Sequence, residues 1–115
     1  MYKFENSIKQ ALEDMGNDRE IFTEVTETFI IETPEKFSNM RLLLKQGNSK
    51  MLIEDAHTIK SSARICGLYQ IGDIAEKIEE EGITENTENL IEKAEEILTS
   101  AIKYLKEKNL INPAL

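Results

Sequence analysis

The chain is short of the residues that staple, interrupt or decorate small folds. It has one cysteine, Cys66, no tryptophan, two prolines and five glycines in 115 residues, and aromatic side chains make up 6% of it. A lone cysteine forms no internal disulfide, so the fold must rest on its own core, and a reducing cytoplasm is the expected setting. The single histidine, His57, has no cysteine or second histidine at ligand spacing, which argues against a structural zinc site and leaves no metal expected on this chain. Cations are scarce as well. The 14 Lys and Arg against 22 Asp and Glu leave a formal charge of −8, and a nucleic-acid partner is not expected because phosphate neutralisation needs clustered cations. No apolar run is long enough to span a bilayer or serve as a signal peptide, so no membrane partner is expected either. A Gly-x-x-x-x-Gly-Lys-Ser/Thr loop is also missing, and with it the expectation of an ATP-using enzyme.

What is present is 40% hydrophobic and 31% charged residues, enough for one core beneath a heavily solvated surface and hence for a single domain over residues 1–115. The few glycines punctuate it regularly. Gly16, Gly47, Gly67 and Gly82 each follow a segment of helix formers, where a left-handed glycine closes a helix. Asn17 with Glu20 offers a capping pair, Asn48 or Ser49 can open a later helix, and Thr84 or Asn86 another. The predicted helices cover about residues 4–15, 18–46, 49–66, 69–81 and 86–108, with no segment alternating as a strand would.

Apolar residues recur at three and four along these segments. Leu52, Ala56, Ile59, Ala63 and Cys66 form one stripe; Leu68, Ile71, Ala75 and Ile78 a second; Leu90, Ala94, Ile97, Ala101 and Leu105 a third. In the long second segment Phe22, Val25 and Phe29 precede Phe37, Met40 and Leu44, with Pro34 between the sets removing one helical hydrogen bond. Met15 and Met51 are read as core or boundary fillers. The expectation is all-α: an antiparallel up-down-up-down four-helix bundle with a short additional N-terminal helix capping one end, its second helix kinked or split at Pro34. The tail from Asn109 frays or folds back. With its apolar faces paired internally such a bundle needs no second copy, so a monomer is favoured.

On a helical wheel the stripe from Leu52 to Cys66 centres about 140° from His57, which places the imidazole on the wet side. Histidine is the side chain most able to act as a neutral nucleophile near pH 7. Lys60, Ser61 and Arg64 follow it at i+3, i+4 and i+7, the spacings of helical neighbours. Two cations near the ring disfavour imidazolium and suit any phosphoryl group the ring acquires. Ile53 and Ile65 flank the polar strip outside the core stripe, an apolar fringe suited to docking. The ordinary role of exposed Lys60 and Arg64 is pairing with neighbouring acids, and Cys66 reads as a small buried hydrophobe.

The string Ala56-His57-Thr58-Ile59-Lys60-Ser61-Ser62-Ala63-Arg64-Ile65-Cys66-Gly67, continued by Ile74 to Ile78-Glu79, closely resembles the histidine-containing phosphotransfer (HPt) domains of two-component phosphorelays, over about residues 17–108 and including the Phe29 to Pro34 spacing. The resemblance implies a helical bundle in which His57 accepts a phosphoryl group from one receiver aspartate and passes it to another. Lys60 matches the family lysine that faces the phosphoryl group, and Glu79 matches the Glu or Gln that orients the imidazole from the neighbouring helix. Gly67 matches the glycine that ends the motif helix. Ser61 stands where many members have glycine; its hydroxyl either bonds a phosphoryl oxygen or is a small residue that the helix tolerates. The implied partners are response-regulator receiver domains and a hybrid or sensor histidine kinase, with no cofactor on this chain and Mg2+ carried by the receiver. Two alternatives stand beside this reading: the phosphoacceptor module of a larger chemotaxis-type histidine kinase, and a receiver-binding helical module that transfers nothing.

Overall fold

A computed structural model describes residues 2–115. Five helices follow in order: α1 Glu5–Asp14, α2 Arg19–Gln46, α3 Ser49–Ile65, α4 Tyr69–Glu81 and α5 Thr87–Glu107, with no strand among the described residues. The boundaries expected from glycine spacing hold to within a residue or two. All four of those glycines have positive φ, and at the end of α2 Gly47 (φ 68°) lets the Asn48 N–H reach the Leu43 carbonyl at 2.9 Å, closing the helix by a six-to-one bond.

The N-terminal caps follow the expectation in part. Asn48 caps α3, its Oδ1 accepting from the Met51 N–H at 3.2 Å. The pairing of Asn17 with Glu20 does not form: Asn17 has φ 58° and belongs to the turn out of α1, and Asp18 caps α2 by accepting from the Ile21 N–H at 3.1 Å. A residue spent in the left-handed region cannot also take the extended conformation that a cap needs. Asn86 precedes α5 but makes no side-chain cap. There the hydroxyl of buried Thr87 accepts from the Thr84 N–H at 2.8 Å and donates to the Gly82 carbonyl at 3.1 Å. That pair of bonds folds the α4–α5 loop.

Helices α3 and α4 pack closely on each other, α5 lies against α4 and α2, and α2 closes the group onto α3. Phe22, Phe37, Met40, Leu52, Ile59, Ile71, Ile78, Ile91 and Leu105 are essentially solvent-free at its centre. Of the kink or split expected at Pro34, the split does not occur, for α2 runs through that residue as one helix. A mid-helix proline costs about 3 kcal/mol. Here Phe29, Ile30 and Thr33 are buried before it and Phe37, Met40 and Leu43 after it, so both halves are held to one core. Three stripe assignments shift: Val25 is 36% exposed, Leu43 takes the deep position expected of Leu44, and Ile91 that expected of Leu90; Met51, read as a core or boundary filler, is 48% exposed. Opposite α3, Arg41 clamps α2 to α5, bonding Glu95 with both terminal nitrogens at 2.6 Å and Glu88 through Nε at 2.7 Å.

The tail folds back. Leu110 and Ile111 are buried, the Leu110 carbonyl accepts from Thr23 Oγ1 at 2.8 Å, and the Asn112 N–H donates to Glu27 at 2.7 Å. At the far side of the sequence α1 contributes Ile8 and Ala11 to the core and meets the α3–α4 turn at Gly67.

Candidate functional site

Along α3 the core stripe of Leu52, Ala56, Ile59 and Ala63 leaves His57 on the outer surface, its side chain 59% exposed. Its Nδ1 lies 2.6 Å from Oε2 of Glu79, which α4 supplies across the helix interface. The other carboxylate oxygen of Glu79 accepts from Lys60 Nζ, also at 2.6 Å. One carboxylate therefore spans two residues of α3. The Lys60 ammonium, and after it the His57 hydrogen bond, hold the Glu79 carboxyl below the usual carboxylate range. An ionised carboxylate has no proton to give, so Nδ1–H donates the bond from His57, and in the neutral ring the lone pair is then on Nε2.

Lys60 is less open than the wheel implied. Its side chain is 19% exposed, laid along the α3–α4 interface with its ammonium on Glu79. Arg64, the second expected cation, is turned onto α4, where Nη2 meets Asp73 at 3.2 Å and Glu76 at 3.1 Å. Its stem lies over Gly72, where an added Cβ would sit 2.8 Å from Arg64 Cγ. Each cation is thus matched by an acid, the ordinary role read for exposed Lys60 and Arg64, and the acids are those of α4. The wheel of α3 alone carries no information about the facing helix.

Ser61 Oγ donates to the His57 carbonyl at 3.2 Å, the back-bond of a helical serine. Of the two apolar flanking residues, Ile65 is 57% exposed. Ile53 is only half-exposed, its Cδ1 3.6 Å from where a Cβ on Gly82 would stand, beneath the α4–α5 loop. Gly67 has φ 79° and faces the backbone of α1, where a Cβ would come within 2.5 Å of the Ser7 carbonyl oxygen.

A trough absent from the sequence reading runs between α2 and α3, a hollow of about 310 Å³ whose floor includes Val25, Phe29, Ile65 and Cys66. The sequence carries no signal for it, since Val25 shares the α2 stripe and reads as core, and only the packed helices leave it exposed. Burial pushes the Cys66 thiol up to about 11, with contact to Thr26 opposing, so Cys66 is an inert wall of this hollow. Among the described residues no group of three His, Cys, Asp or Glu side chains is arranged to hold a metal ion. No described helix is long and apolar enough to cross a membrane.

The family model for the Hpt domain matches residues 24–108, which contain every side chain of this cluster. No curated protein and no solved structure matches the chain.

Proposed function

Since the chain belongs to the Hpt domain family, whose work is phosphotransfer in two-component signalling, we propose that it is a phosphorelay carrier that takes a phosphoryl group onto His57 from a receiver aspartate and delivers it to a second receiver. The observation that carries this reading is the exposed His57 ring tied by Nδ1 to Glu79 at 2.6 Å. The tie leaves Nε2 as the attacking atom. Its lone pair forms the P–N bond as the bond from phosphorus to the aspartate oxygen breaks, and the aspartate leaves as a carboxylate. Positive charge then develops on the ring, and the Glu79 carboxylate on the opposite nitrogen offsets it. Delivery runs the same step in reverse.

Such a transfer passes through a loose in-line arrangement that asks for position and charge neutralisation more than for acid–base chemistry. Lys60 is within reach of both needs: it holds Glu79 and stands one turn from the acceptor nitrogen. We assign Ser61 the role of a small side chain that leaves the ring accessible, because its hydroxyl is already donated to the helix. Arg64 contributes by fixing α4 against α3 through Asp73 and Glu76. Ile65 and the neighbouring trough are the apolar part of the receiver-docking surface, with Ile53 at its edge. The Mg2+ that neutralises the aspartyl phosphate would come with the receiver. The four long helices are taken to run up-down-up-down, which the short turns at Gly47, Gly67 and Gly82 favour.

The test is to incubate the chain with phosphorylated receivers and with phosphoramidate, then assay for phosphate that is acid-labile and base-stable. Wild type should carry it and His57→Gln should not. Equal labelling of His57→Gln, or none on wild type, rejects the carrier.

A further inference from the structure

The trough between α2 and α3 carries information about which receiver it accepts. Its apolar floor is overlooked by Glu24 and Glu32, and a second hollow continues it past Glu35 to Asp55. Against these four carboxylates stands one ammonium, Lys36. None of the five forms an ion pair among the described residues. On the α4 side of His57 the opposite holds, where Lys60 and Arg64 are both matched by acids. The α2-facing side of the phosphoacceptor helix is therefore an exposed apolar patch, Val25 and Ile65, within a rim where four carboxylates face one ammonium.

We propose that this rim selects receivers whose docking face carries lysine or arginine around an apolar centre, and turns away those with an acidic face. The inference rests on the carrier reading above. An apolar centre with a complementary charged rim is the ordinary composition of a transient interface, in which the rim governs encounter rate and discrimination. Attraction at the rim steers the correct receiver in, whereas like charges brought together at the edge of an apolar contact are desolvated without compensation. A second copy of this chain is a poor occupant for the same reason, since it would bring the same acidic rim and a net charge of −8.

The test loads wild type, Glu24→Lys/Glu32→Lys and Glu24→Gln/Glu32→Gln on His57 with phosphoramidate, then follows transfer to a panel of purified receivers with cationic or anionic docking faces. Loading and transfer are thus read separately. Wild type should favour cationic receivers by about tenfold or more near 50 mM salt, with the preference shrinking toward 500 mM as screening shortens the range of the rim. The neutral pair should lose the preference and the lysine pair should reverse it. Both sites are exposed on α2, and circular dichroism checks that each variant is folded. A folded variant that keeps the wild-type order, or a wild-type preference indifferent to salt, overturns the inference and leaves the carrier reading intact. Loaded wild type that transfers to no receiver at any salt overturns both.

Discussion

Glu79 is the residue on which the site turns, because its two oxygens are given to different groups of α3, one to His57 and one to Lys60. Removing Lys60 should therefore have two effects: the cation one turn from His57 is lost, and Glu79 loses the main partner that holds its carboxyl below the usual carboxylate range. Lys60→Ala is expected to slow transfer by about tenfold or more and to lower the urea midpoint modestly while leaving the chain folded, because the Lys60–Glu79 pair is lost from the α3–α4 interface and the core is untouched. Wild-type transfer rates in a folded Lys60→Ala would remove Lys60 from the mechanism. The depressed Glu79 also fixes a pH dependence. Its contribution to stability is present above the unfolded glutamate value of about 4.3 and is lost as pH falls through the lower folded value. Glu79→Gln should flatten that part of the acid unfolding curve while keeping an oxygen for Nδ1–H. An unchanged acid limb would show that the Lys60–Glu79 contact does not persist in solution.

Among the elements, the α3–α4 turn is the most constrained. Gly67 combines φ 79° with a contact in which any Cβ would meet the Ser7 carbonyl oxygen at 2.5 Å, so two independent costs fall on one substitution. Backbone strain at such a residue is about 1 to 3 kcal/mol, and displacement of α1 adds to it. Gly67→Ala should lower stability by about 2 to 4 kcal/mol, whereas Gly47→Ala, which has the same sign of φ but nothing near it, should lose only the backbone part. Equal losses at the two glycines in chemical denaturation would rule out the packing of α1 against this turn. The same comparison explains how much of the elements was readable in advance. Glycine and cap residues act locally, and so the five helices appear in the sequence close to their final bounds. Asn17 departs from its expected capping role because two local rules compete there: it can cap one helix or turn out of the previous one, and the chain does the second.

At the scale of the whole molecule, the tail and the α2–α5 clamp close the bundle. Ile111 is 4% exposed although it lies beyond the last helix, covering the start of α2 where Thr23 and Glu27 bind the adjacent backbone. Ile111→Ala should cost about 2 to 4 kcal/mol and is measured as a lower midpoint with an unchanged slope in urea. A loss below about 0.5 kcal/mol, the usual size for a surface position, would show that the tail is detached in solution.

Helical periodicity, the glycine stops and the position of His57 opposite a buried stripe were all written in the sequence, because each depends on residues within a few positions of one another. What tertiary structure alone decided is which charges face which. The acids at Asp73, Glu76 and Glu79 look like a solvated run on α4 until α3 is placed beside them, when they take up Lys60 and Arg64, while among the described residues Glu24, Glu32, Glu35 and Asp55 along the α2–α3 trough form no ion pair. Electrostatic pairing falls off over a few ångströms in space and is blind to separation along the chain, so it becomes legible only when the helices are packed.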